Sequence, residues 1–221
     1  MIFTTTRGVL KVGNALELIK DVPDESVKLV LADYPFKVRG GRKKYFEFLK
    51  ATAQEFCRVL TDDGWLAVIN NPSNLFRLAP YLQDLEFRNE VVLVRPHSFH
   101  PPGMFGFKHN ALWLLSKKKQ KLNLPKKMSD VMEYQNGYRG HGGWHPEVIP
   151  EWLAQLIVVT TTDEGDVVLD PFLGSGTTAV VAERLGRRWI GFEINPEYAE
   201  IAVQRIKAEL AKKKQTGLMG R

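Results

Sequence analysis

Two short stretches of the chain close an apolar run on an aspartate flanked by proline and aromatic rings. Residues 31–36 read Leu-Ala-Asp-Tyr-Pro-Phe, and residues 168–178 read Val-Leu-Asp-Pro-Phe-Leu-Gly-Ser-Gly-Thr-Thr. A turn alone is satisfied by glycine or asparagine. A carboxylate beside a rigid proline and flat rings suits a site that holds a planar, hydrogen-bonding molecule, with the carboxylate as acceptor.

The second stretch carries more. Asp170 ends a strand-like run, Gly174 and Gly176 form a loop, and a helical pattern opens near Thr177. Glycine is needed where a ligand comes too close to the backbone for a Cβ. The next apolar run ends on Glu193. That is roughly the 20-residue spacing at which a carboxylate accepts bonds from ribose hydroxyls in nucleotide folds. A phosphate-binding loop would carry lysine where Thr177 stands, which disfavours a nucleoside triphosphate. A dinucleotide fingerprint would carry glycine where Ala179 stands, and Asp170 would repel a pyrophosphate. A plain strand-to-helix turn is the third alternative, since two spaced glycines are common. A carboxylate for an ammonium, a glycine loop and a ribose-binding acid together suit S-adenosylmethionine.

Residues 168–178, followed by Arg-Trp-Ile-Gly-Phe-Glu-Ile-Asn-Pro-Glu-Tyr from residue 188, resemble the cofactor half of the amino-methyltransferases that modify bases in DNA. That family carries a second signature, Asp/Asn/Ser-Pro-Pro-Tyr/Phe/Trp, which Asp33, Pro35 and Phe36 resemble; Tyr34 departs from it by replacing the first proline. The order, catalytic signature first and cofactor loop last, is similar to the permuted β class. The resemblance implies that Asp33, Tyr34, Pro35 and Phe36 form the catalytic stretch. It also implies that Asp170, Pro171, Phe172, Gly174, Ser175, Gly176, Thr177 and Thr178 hold the methionine part of S-adenosylmethionine. Glu193 would hold the ribose, with Asn14 near the adenine.

The chemistry accounts for these residue types. An exocyclic base amine is a poor nucleophile because its lone pair is delocalised into the ring. Asp33 and the carbonyl of residue 34 can accept bonds from the amine and localise that pair toward a sulfonium methyl, in a direct displacement driven by positioning and electrostatics. Proline aims the carbonyl, and Phe36 would stack on a base swung out of the duplex. At position 34 the tyrosine supplies a stacking face, a hydroxyl donor or core volume. Asp33 leans toward adenine N6, because serine is commoner at this place among cytosine-N4 enzymes. Attack on a ring carbon needs an activated thiol, and Cys57 lies in a helical core pattern, so cytosine carbon-5 methylation is disfavoured. Base methylation in structured RNA and a degenerate nucleic-acid-binding paralogue are the alternative readings.

The elements that must position these residues follow from hydrophobic periodicity. Strand-like runs fall at residues 9–12, 27–32, 65–69, 91–95, 111–115, 167–170 and 189–194, mostly without polar alternation, as in strands covered on both faces. Helical patterns occupy 45–60, 148–159, 177–185 and 197–210. The expected fold is α/β: a Rossmann-like methyltransferase sheet of seven strands, mostly parallel, with helices on both faces. Its last hairpin would be built from the Val-Val-Leu-Val-Arg and Ala-Leu-Trp-Leu-Leu runs. One domain, 1–221, is expected: a catalytic half 1–95, a loop-rich candidate target-recognition region 96–146, a cofactor half 147–210 and a basic tail 211–221.

The 221 residues carry a net charge of +6, which favours polyanionic partners. DNA is the partner expected, with RNA as the alternative and a homodimer as an option. Lys37, Arg39, Arg42, Lys43 and Lys44 are placed on a mobile loop that meets phosphates. A single cysteine excludes an internal disulfide. Of His97, His100, His109, His141 and His145, the last two are four apart, but Gly-His-Gly-Gly-Trp-His is not a helical run and no cysteine joins them, so no metal is expected; His145-Pro146 resembles the segment before the family's cofactor loop, and Tyr138 and Trp144 either stack on bases or pack within the loop region. No signal peptide and no apolar run of spanning length is read, so the expected location is cytoplasmic and off the membrane.

Overall fold

In the computed structural model the described residues are 1–35, 38–99, 103, 105–124, 127–133 and 149–219; Phe36, Lys37, His100, Tyr138, His141, Trp144, His145 and Pro146 lie outside them. The near-continuous apolar runs become the middle of a sheet. Its strands are β1 (Ile2–Thr4), β2 (Gly8–Val12), β3 (Val27–Asp33), β4 (Leu60–Asn70), β5 (Glu86–Phe99), β6 (Phe107–Ser116), β7 (Val131–Glu133), β8 (Val167–Asp170) and β9 (Arg188–Glu193). Among the described residues the order is β1-β2-β9-β8-β3-β4-β6-β5-β7. From β2 to β4 every pairing is parallel; β6 runs antiparallel to β4 and β5.

The sheet thus has nine strands where seven were expected. The two additions, β1 and β7, are three-residue edge strands with one half-buried residue each, too short to leave an apolar run. The expected hairpin is β5–β6, longer than its apolar runs: the pairing extends to Phe99 opposite Phe107, so strand replaces part of the irregular region read from residue 96.

Helices cover both faces, as alternation along β3 requires. Val30 and Ala32 pack in a core with α1 (Ala15–Leu18), α2 (Gly41–Val59) and α3 (Pro72–Leu78), whereas Leu29 and Leu31 meet α4 (Glu151–Thr161). Beyond them α5 (Thr177–Arg184) packs on α6 (Pro196–Met219) through Ala179, Ala182, Ala199 and Ala202. Helix α2 begins four residues before its apolar pattern, because Gly40, at φ 102°, turns the chain and Arg42, Lys43 and Lys44 are good helix formers. These three exposed cations therefore sit in a helix's first turn, not on a mobile loop. Residues 211–219, read as a tail, continue α6, with Lys213 Nζ bonded to the Glu183 carbonyl.

The crossover after β8 leads through α5 to β9 on one side; that after β3 leads through α2 to β4 on the other. The boundary between β3 and β8 is therefore the sheet's switch point, where open α/β sheets form a crevice at the carboxyl ends of the strands.

Candidate active site

Asp33 and Asp170 are the last residues of β3 and β8, neighbouring parallel strands, so both aspartates stand at the switch point on one edge of the sheet. Asp33 and Pro35 are half-buried. Tyr34 is 2% exposed and points into the core. Its phenol lies 2.7 Å from Thr52 Oγ1, its ring centroid lies 5.1 Å from that of Phe172, and Phe48 and Phe56 close the cluster at 6.1 and 6.0 Å. Burial drives the phenol's pKa far up. The Tyr34 ring is thus neither a stacking face nor a free donor. It fills the floor where a proline would leave a void, and the Tyr34 N–H donates to the Ile69 carbonyl at 3.1 Å. Tyr34 and Phe172 join the two acid-containing turns from beneath.

The glycine loop is set by hydrogen bonds. Asp170 Oδ1 accepts from the Phe172 N–H at 2.9 Å. Glu193, ending β9, accepts from the Gly174 N–H at 2.7 Å through one oxygen and from the Asn195 N–H at 2.8 Å through the other. A carboxylate has about four acceptor positions, so both oxygens keep capacity. Gly174 has φ 54° and Gly176 φ 87°. At Gly176 a Cβ would lie 2.7 Å from Ala202 Cβ, so close packing of α5 on α6 requires this glycine. Pro171, Ser175, Thr177 and Thr178 are buried. Burial pushes the Asp170 carboxyl up to about 7, and the nearby Glu193 charge adds to that. Among the described residues no cation acts on it. Asn14 caps α1, accepting from the Leu16 N–H at 3.0 Å; it stands exposed beside Gly13, whose N–H donates to the Glu193 carbonyl at 2.9 Å.

Several residues at the site were not singled out from the sequence. Arg205 of α6 reaches behind the glycine loop: Nη1 donates to the Ser175 carbonyl at 2.9 Å, to Ser175 Oγ at 3.0 Å and to Thr177 Oγ1 at 3.1 Å. Its Nη2 donates to Glu151 Oε1 at 2.9 Å. Arg184 joins the other Glu151 oxygen at 3.1 Å and grips Glu209 with a two-pronged contact at 2.9 and 3.0 Å. On the other flank, Asn70 ends β4 next to Asp33, and the Tyr45 hydroxyl accepts from Asn70 at 2.9 Å and Asn74 at 3.3 Å. The Asn-Asn-Pro-Ser-Asn run at 70–74 was the available signal for this group; nothing marked Arg205. Ile194, beside Glu193, is 71% exposed.

His109 lies half-buried on β6. Among the described residues no three His, Cys, Asp or Glu side chains gather as metal ligands, and no helix is long and apolar enough to cross a membrane.

Residues 27–204 match the N6/N4 family model described as DNA methylase. The chain is 31% identical over 245 residues to the Type II methyltransferase M.BglII of Bacillus subtilis, covering 89% of this chain and 68% of that protein. Across four such curated relatives the chain spans from 34% to 68% of their length. Among solved structures it resembles the PvuII DNA methyltransferase, named as cytosine-N4-specific, with TM-score 0.80 at 24% identity over 91% of this chain and 87% of that one. It also resembles a DNA modification methylase of Thermus thermophilus, complexed with S-adenosyl-L-methionine, with TM-score 0.71 at 24% identity over 90% and 93% of the two chains. Both structural likenesses are of fold. With the family model spanning both acid-containing turns and the strands that carry them, the chain belongs to the N6/N4 DNA methylase family.

Proposed function

We propose that this chain methylates the exocyclic amine of a base in DNA, using S-adenosylmethionine, with Asp33 and the Tyr34 carbonyl at the reacting nitrogen. One observation carries the reading: two acid-containing turns on adjacent strands share an aromatic floor at the switch point.

The residues of the cofactor half fit such a ligand. Asp170 is buried without a cation among the described residues, and the neighbouring Thr178 hydroxyl and Phe172 N–H only partly offset that burial. An amino-acid ammonium would complete the offset. Glu193 keeps acceptor capacity for ribose hydroxyls, and exposed Ile194 offers an apolar surface to a flat ring. When bound, S-adenosylmethionine supplies an electrophilic methyl on sulfur. Asp33 and the Tyr34 carbonyl would accept the amine's hydrogens and localise the nitrogen lone pair for that methyl. Transfer would place that methyl on the nitrogen and leave the electron pair of the carbon–sulfur bond on sulfur, and Asp33 would take the proton that the nitrogen releases.

Adenine N6 is the base position we favour, on the aspartate at 33. Cytosine N4 is the second reading, supported by the fold likeness to an enzyme named for that specificity. Mass spectrometry of nucleosides from DNA and RNA incubated with protein and cofactor tests all of this. N6-methyladenine in DNA is the expected product; N4-methylcytosine in DNA selects the second reading. A methylated base in RNA alone, or none in either, refutes DNA as the substrate.

A further inference from the structure

We infer that the first turn of α2 and the exposed side of α3 form the surface on which duplex DNA rests beside the target base, with Phe76 and Arg77 as its contact residues. This rests on the proposed reading of Asp33.

Helix α3 starts directly after β4, whose Ile69 pairs with Asp33. Asn71 caps it by accepting from the Asn74 N–H at 2.9 Å. Phe76 lies five residues beyond that cap, about 7.5 Å along the helix at 1.5 Å per residue. Leu75 and Leu78 take the helix's apolar side into the core, while Phe76 remains 78% exposed. A ring so open, close to the edge that holds Asp33, has no packing role within the described chain.

Its neighbours are cationic. The Arg77 guanidinium sits 5.4 Å over the Phe46 ring of α2, and Nη1 donates to the Ser73 carbonyl at 2.8 Å, so the head group is held in place before any partner arrives. Phe46 is one turn along α2 from Arg42 and Lys43, both exposed, in a first turn without an acid; exposed Glu47 is the nearest carboxylate of that helix. Cations at a helix N-terminus oppose the macrodipole, so the charge of these residues, unlike their helix propensity, does not stabilise α2. Their charge instead complements phosphates, and the exposed ring next to Arg77 in the chain suits the sugar and base edges flanking an extruded nucleotide. Duplex DNA is the occupant that uses both features.

The test measures binding of a fluorescent DNA duplex by Phe76→Ala, Arg77→Ala and the unchanged protein over a salt series, with cofactor affinity measured by calorimetry alongside. Loss of one phosphate contact in Arg77→Ala lowers the slope of log affinity against log salt by about one. Loss of a ring contact in Phe76→Ala weakens binding about tenfold with an unchanged slope. Cofactor affinity stays as it was in both. If the unchanged protein binds and methylates the duplex while both variants match it, the surface is wrong and the reading of Asp33 stands. If the unchanged protein neither binds nor methylates DNA, that reading has failed. Losses on structured RNA but not on the duplex overturn duplex DNA as the occupant.

Discussion

At the scale of single residues, position 34 separates a backbone role from a side-chain role. The proposed reaction uses the Tyr34 carbonyl, while its ring belongs to the core. Tyr34→Pro, which restores the family pattern, is therefore expected to destabilise the protein. It deletes a buried ring, at about 3–5 kcal/mol for an aromatic truncation, and the bond to the Ile69 carbonyl, at about 1 kcal/mol. Chemical denaturation measures this, and a variant as stable as the parent would refute the account. Asp33→Ala is expected to lower transfer by about 10²- to 10⁴-fold while calorimetric cofactor binding persists; normal turnover by the folded variant refutes the role of Asp33. Asp170 sets the pH dependence. Its carboxyl titrates near 7 in the folded chain, above its unfolded range. Stability without ligand therefore falls as pH rises from about 4 to 7 and is flat above, because the unfolded chain ionises first. An ammonium ligand favours the ionised form, so cofactor affinity rises by up to about tenfold per pH unit toward 7 and levels off beyond it. Calorimetry from pH 5.5 to 8.5, with Asp170→Asn as the flat control, checks this; equal affinity throughout would exclude Asp170 as the ammonium's counter-ion.

At the scale of elements, the glycine loop owes its shape to helices far away in sequence. Arg205 fixes Ser175 and Thr177 and ties them through Glu151 to α4, while Arg184 shares Glu151 without touching the loop. Both arginine variants should lose stability, but only Arg205→Met should raise the KM for cofactor, by about tenfold, with kcat little changed. Arg184→Met supplies the comparison in steady-state assays, and equal KM values in the two variants would make the Arg205 contact purely structural. The sequence carried no sign of this device: a bond across 30 positions leaves no periodicity. The loop was legible because an acid at a strand end and spaced glycines are local features. The packing demand on Gly176 was not legible, since the helix it admits, α6, comes later in the chain.

At the scale of the whole molecule, the parallel middle of the sheet was legible because strands buried on both faces are written as unbroken apolar runs. Edge strands β1 and β7 were not, having little to bury. The basic first turn of α2 read as loop because apolar spacing begins only at Tyr45, although Lys and Arg extend helices without it. Tyr34 could be placed inside only once β3 showed its alternation, with Val30 and Ala32 on the α2 side ahead of it. The two acid-containing turns, 137 positions apart from Asp33 to Asp170, become neighbours solely through strand order.

Because Tyr34 and Phe172 stand ring to ring, the two turns above them do not settle independently. On the proposed reading, a base that orders the Asp33 turn would also order the Asp170 turn, so the second ligand would meet a surface whose ordering cost has already been met. Thermodynamic reciprocity then fixes the arithmetic: duplex tightens cofactor by the same factor by which cofactor tightens duplex. Paired titrations, each with the other ligand saturating, should return one common factor greater than unity, and Tyr34→Leu should bring it toward one. The enzyme would then favour the complete ternary complex over either half-loaded state.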